Sequence, residues 1–184
     1  MVPALDWLEL NASSIGIQTA GQFYWATGAL SSVLDNAPTY LNFLSASIGL
    51  FVNEEMVKQV AHLVQTHGAD ISQVIGQHAD EVKSTYLTLF KYHSDLVAVG
   101  HVPVDDINVS YLIANHNEYI QAISIGAVFF GAMTYIGNGP NFMVKSIAEH
   151  QKVRTPTFLG YIFKFTLPFL LPVLLLVWLI FFRS

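Results

Sequence analysis

Residues 165–182 read FTLPFLLPVLLLVWLIFF and contain no charged side chain. At about 1.5 Å per residue, this run together with residues 160–164 covers a hydrocarbon core of roughly 30 Å, so it reads as a transmembrane helix. Pro168 and Pro172 would break a soluble helix, but a membrane helix tolerates proline where its neighbours satisfy the freed carbonyls. Further back, residues 119–136 (YIQAISIGAVFFGAMTYI) form a second apolar run. Its small residues Ser124, Gly126, Ala127, Gly131 and Ala132 suit close helix packing in lipid. It stops at Gly137-Asn138-Gly139-Pro140-Asn141 and resumes as FMVKSIAEH. A third run, residues 22–51, is apolar on both sides of Ser31-Ser32-Val33-Leu34-Asp35-Asn36-Ala37-Pro38-Thr39. Each half is too short to span alone, which predicts a re-entrant hairpin or a broken helix.

Bulk composition points the same way. Hydrophobic residues make up 53% of the chain and charged residues 11%, less than half the charged share of about 25% that a soluble surface needs. There is no cysteine, which excludes a disulfide framework and a thiolate metal site. The net charge of −5 supplies no basic patch, so nucleic acid is not an expected partner. Met1 to Leu10 has no basic start and is interrupted by Asp6 and Glu9, unlike a cleavable signal.

The expected organisation has three parts. Residues 1–52 hold an amphipathic start and the interrupted hairpin. Residues 53–114 form a polar, acidic, His-rich helical insert outside the bilayer. Residues 115–184 hold a broken transmembrane helix, a cytoplasmic loop and the last span. Between Asn53 and Glu118 stand nine acids against three lysines, with six histidines. Val57 to Tyr92 carries apolar residues at helical spacing (Val60, Leu63, Val64, Ile71, Val74, Ile75), read as one or two amphipathic helices followed by a loop around Gly100 to Asp106. Lys145, Lys152, Arg154 and Lys164 precede the final span and only Arg183 follows it. The positive-inside tendency places Lys152 in the cytoplasm, with Asp80 and Ser184 outside.

The two interruptions carry the chemistry. A carboxylate in an apolar membrane segment costs about 2.5–3.5 kcal/mol, so Asp35 is a functional candidate by default. Ser31, Ser32, Asn36 and Thr39 around it offer oxygens suited to a hard cation such as sodium. Pro38 belongs in a helix's first turn, with Asn36 or Ala37 as the expected cap. In the second interruption, Asn138 and Asn141 flank Pro140, which restarts a half-helix with a partly positive amino end. Paired Gly/Pro-interrupted segments of this kind point to a binding site near a transporter's midplane.

FYWATGALSSVLDNAPTYLNFL, followed later by AISIGAVFFGAMTYIGNGPNFMVKSIAE, resembles the carboxy-terminal repeat of the ion transporter superfamily. That superfamily includes D-type sodium/proton antiporters, arsenite efflux subunits and citrate or dicarboxylate symporters. The likeness covers most of residues 1–52 and 115–182, and the paired DNAPT and GNGPN motifs carry it. It implies two inverted repeats around a shared site, with Ser31 to Asn36 and Thr39 near a hairpin tip. It also implies that Asn138 to Asn141 lie at a helix break. An amino-terminal repeat is expected to be missing from this chain, which is then a fragment, a split gene product or one half of an assembly, and a homo-oligomer is expected.

The expected protein is an all-α, multi-pass protein of the inner cell membrane, not an enzyme, with no cofactor besides sodium and protons as coupling ions. Its expected function is sodium/proton antiport, with Asp35 as the sodium-binding, exchangeable carboxylate. The alternatives are cation-coupled symport of citrate or another small carboxylate and, from a different class, a membrane-anchored accessory protein. His62, His67, His78, His93, His101 and His116 lack metal-ligand spacing and read as solvated faces. Lys145 and Glu149, four apart, read as an interfacial ion pair. Trp7, Tyr24, Trp25 and Tyr161 read as interface anchors.

Overall fold

The computed structural model describes residues 11–68, 71–76 and 78–183. Trp7 and Ser184, and the amphipathic start over residues 1–10, lie outside the described residues. The described chain is helical throughout: α1 Ala20–Ser31, α2 Asn36–Phe51, α3 Glu54–Gln65, α4 Ala79–Tyr92, α5 Ser94–Val99, α6 Val104–Asn115, α7 Asn117–Phe129, α8 Gly139–His150 and α9 Phe158–Phe181. The third apolar run is therefore two helices around a short break. The chain divides into two compact units, one holding residues 15–45 and 121–183, the other residues 11–14 and 46–120.

In the first unit, α1 opens on a capping box: Thr19 Oγ1 accepts from Gln22 N–H and Gln22 Oε1 accepts from Thr19 N–H. α1 and α7 pack backbone to backbone. A Cβ on Gly126 would stand 2.8 Å from the Tyr24 carbonyl oxygen, so the small residue is what permits the approach. Phe23, Tyr24, Phe130, Leu174 and Phe182 are buried. Tyr24 meets Phe130 edge-on at 5.1 Å, stacks on Phe182 at 5.1 Å, and donates to the Leu174 carbonyl at 3.0 Å. Tyr24 is thus a core residue and not an interface anchor: its ring fills the unit and its hydroxyl finds a protein acceptor.

α9 is the one described helix long and apolar enough to cross a membrane, at 24 residues or roughly 36 Å. Only 11% of its most apolar window is buried in the chain, whereas the core helix of a soluble protein would be covered. Leu159, Phe163, Phe169, Val173, Leu176 and Ile180 are exposed along it. Ile162–Leu170 is wound as a π-helix, and the Leu171 N–H donates to Thr166 five residues back. Pro168, inside this stretch, has no amide hydrogen, and the wider turn accommodates its ring without ending the helix.

In the second unit, α3, α4 and α6 pack together through Val60, Leu63 and Val64, through Val82 and Leu89, and through Ile107 and Leu112, all buried. α3 is capped by Asn53, whose Oδ1 accepts from Glu55 N–H at 2.8 Å. Ile71, Val74 and Ile75 do not continue that helix; residues 71–73 make a 3-10 turn and Ile75 is 89% exposed. α6 was not anticipated, because its acidic start and mixed composition masked a buried face. Tyr111 on α6 donates to Glu81 Oε2 at 2.9 Å, which also faces His78 Nδ1 at 3.3 Å. His116 stacks on Phe51 with centroids 4.4 Å apart. Among the described residues no group of three or more His, Asp or Glu side chains could hold a metal ion.

Candidate functional site

The two interruptions meet within the first unit, and their backbone groups satisfy one another. In an unbroken helix, the Ile136 and Gly137 N–H groups would donate to the carbonyls of Ala132 and Met133. Both turn instead to Thr134 Oγ1, at 3.2 and 3.0 Å. The two carbonyls left over are taken by α9: Tyr161 O–H donates to Ala132 at 3.2 Å and Thr166 O–H to Met133 at 2.5 Å. The first break is treated alike. Asn36 N–H, which would have donated to Ser32, donates to Asp35 Oδ1 at 2.8 Å. Thr134 O–H crosses over to the Ser32 carbonyl at 2.5 Å. Irregular backbone away from water requires this kind of complete accounting.

Gly137 sets the fit between the breaks. A Cβ there would lie 2.6 Å from the carbonyl oxygens of Ser31 and of Ser32, closer than any side chain allows. Ser31 is fully buried; its Oγ lies 2.9 Å from Asn36 Oδ1 and 2.5 Å from the Ala127 carbonyl oxygen. A hydroxyl has one proton and cannot serve both acceptors. One residue past Gly137, Asn138 Oδ1 is buried with no hydrogen-bond partner, and Thr27 Oγ1, one turn before Ser31, is another such oxygen. Buried oxygens thus gather at and beside the breaks, two of them without a hydrogen-bond partner.

The candidates read from the sequence divide accordingly. Ser31, Asn36 and the Ser32 carbonyl come together with Thr134 and Gly137. The Ser32 hydroxyl turns back to the Ala29 carbonyl at 2.7 Å. Thr39 is buried, and its hydroxyl donates to the Asp35 carbonyl at 3.0 Å. Asp35 is exposed and, in place of Asn36 or Ala37, is the residue that caps α2, its carbonyl also accepting from Thr39 N–H at 3.4 Å. Pro38 consequently falls third in the helix, where its missing amide hydrogen leaves no intrahelical bond unmade. Asn138 precedes α8 without a side-chain cap bond. Asn141 lines a separate cavity of about 290 Å³ beside Lys145.

Thr134 and Thr166 are side chains at the breaks that sequence reasoning passed over, and Tyr161, read as an interface anchor, donates to the Ala132 carbonyl. Thr166 had a signal: it is the one hydroxyl in residues 165–182, and a lone polar group in a span asks for a partner. A sequence model of a family described as "Putative citrate transport" matches residues 4–182. No curated protein and no solved structure matches the chain.

Proposed function

Since the chain belongs to that citrate transport family, which comprises membrane transporters and not enzymes, we propose that it moves citrate or a related small carboxylate in symport with a cation. The observation that carries the cation half of this reading is the cluster of buried oxygens at and beside the breaks. Ser31 Oγ stands between two acceptors, and Asn138 Oδ1 and Thr27 Oγ1 have no hydrogen-bond partner. Hydroxyl, amide and carbonyl oxygens suit a hard cation such as sodium. The carboxylate half rests on the family. Sodium/proton antiport has less support, because the residue it needs, Asp35, is exposed and spends an oxygen on capping α2. The multi-pass arrangement in the inner cell membrane is part of the same proposal.

Membrane vesicles from cells expressing the protein provide the test. An inward sodium gradient should drive uptake of labelled citrate, and collapsing that gradient should stop it. Sodium-driven proton movement that proceeds without any carboxylate would restore antiport, and vesicles that move neither would overturn the transport reading.

A further inference from the structure

Lys145 is placed unlike any other basic side chain in its unit. His150, Lys152, Arg154, Lys164 and Arg183 are all exposed, whereas the Lys145 side chain is 18% exposed. Its ammonium lies 4.8 Å over the ring of Tyr135, where the ring's negative face stabilises the charge. Around it is the cavity of about 290 Å³, lined by Tyr135, Asn141, Thr155 and Tyr161 and by Val144, Ala148 and Pro156. Small-molecule sites begin at about 300 Å³, so the space suits a compact di- or tricarboxylate.

The cation is already paired, and with a carboxylate. Lys145 Nζ donates to Glu149 Oε1, one turn along α8, and Thr155 O–H donates to the same oxygen at 2.6 Å. A surface i, i+4 pair keeps both partners in water and contributes little. Here the Lys145 side chain is largely covered, at 18% exposed, while that of Glu149 is half exposed at 50%. Two donors converging on one carboxylate oxygen is the arrangement that would hold a substrate carboxylate. Exchange costs little on either side: Lys145 is paired throughout, and a released Glu149 returns to water.

We propose that Lys145, Thr155 and Asn141 form a carboxylate-binding subsite, which Glu149 fills as an internal surrogate until a substrate carboxylate displaces it. The proposal rests on the carboxylate-transport reading and adds to it the residue that neutralises the anion. The oxygen cluster at the breaks offers an anion no such charge.

Labelled-citrate uptake by membrane vesicles, scored as apparent KM and as sodium dependence, tests it with three variants. Lys145→Met should raise the KM for citrate roughly tenfold or more, the weight of a charge-assisted hydrogen bond, with the sodium concentration for half-maximal uptake unchanged. Lys145→Arg should retain most of the affinity. Glu149→Gln removes the competitor and should lower the KM by about two- to fivefold. The opposite signs at the two ends of one ion pair are decisive. If Lys145→Met and Glu149→Gln weaken uptake alike, or both leave KM unchanged at equal protein levels in the membrane, the pair is structural and the proposal fails. Wild-type vesicles that take up no carboxylate fail at the earlier step and bring down the transport reading with it.

Discussion

Asp35 and Thr134 separate the two roles a polar residue can play in an apolar segment. Asp35 is the more conspicuous in the sequence, yet its carboxylate is exposed and holds the first N–H of α2. Asparagine caps a helix about as well as aspartate. Asp35→Asn should therefore leave citrate uptake within about twofold of wild type, whereas an exchanging carboxylate would make the same variant inactive. Thr134 is inconspicuous, but one hydroxyl donates to Ser32 and accepts from Ile136 and Gly137. Thr134→Val strands three backbone groups and should destabilise the detergent-solubilised protein by roughly 1–3 kcal/mol. Thermal unfolding measures this, and Thr134→Ser, which restores the hydroxyl, should recover most of it. Asp35 was legible because charge in an apolar run is rare; Thr134 was not, because its partner is 102 residues away.

Among the elements, the breaks were legible and the partners of the breaks were not. Gly137, Pro140 and Pro38 are local punctuation, and the chain interrupts where they stand. The α3 face of Val60, Leu63 and Val64 was likewise plain from its spacing. α6 needed tertiary context: Tyr111 and Asn115 make sense only against α4, where Asn115 Nδ2 donates to Thr85 Oγ1 at 3.1 Å. The α4–α6 contact carries a pH signature. Burial first, then the hydrogen bond and negative charge of Glu81, push the Tyr111 phenol well above its usual value of 10.0. The unfolded chain loses that proton near pH 10 while the folded one keeps it, so the stabilisation present below this value declines as pH rises beyond it. Circular dichroism of the full chain should show stability falling above about pH 10. Tyr111→Phe, which cannot ionise, should flatten the fall; an unchanged slope would show that Tyr111 does not govern it.

For the whole molecule, composition pointed to a membrane protein, and the family match and the exposed α9 support that reading. What composition could not separate was antiport from carboxylate symport, since both need acceptor oxygens for a cation. On the reading proposed above, the difference lies in where a fixed positive charge is kept, and Lys145 looked like an ordinary helix-surface residue until its neighbours were placed. Topology follows from the basic residues before α9, which favour the cytoplasmic side. In intact cells, Asp80→Cys should react with an impermeant maleimide, and Lys152→Cys should react only after the membrane is opened. Labelling in the reverse order would invert the orientation.

The cross-satisfied breaks also fix a schedule for biogenesis. The Ser32 carbonyl leaves the ribosome 102 residues before the Thr134 hydroxyl that satisfies it. Met133 is made 33 residues before Thr166. At about 5–20 residues per second, the first interval lasts roughly 5–20 s. For that time the leading segment carries a bare carbonyl that hydrocarbon cannot solvate. Residues 20–45 would therefore wait in water or against the insertion machinery until Thr134 has been translated.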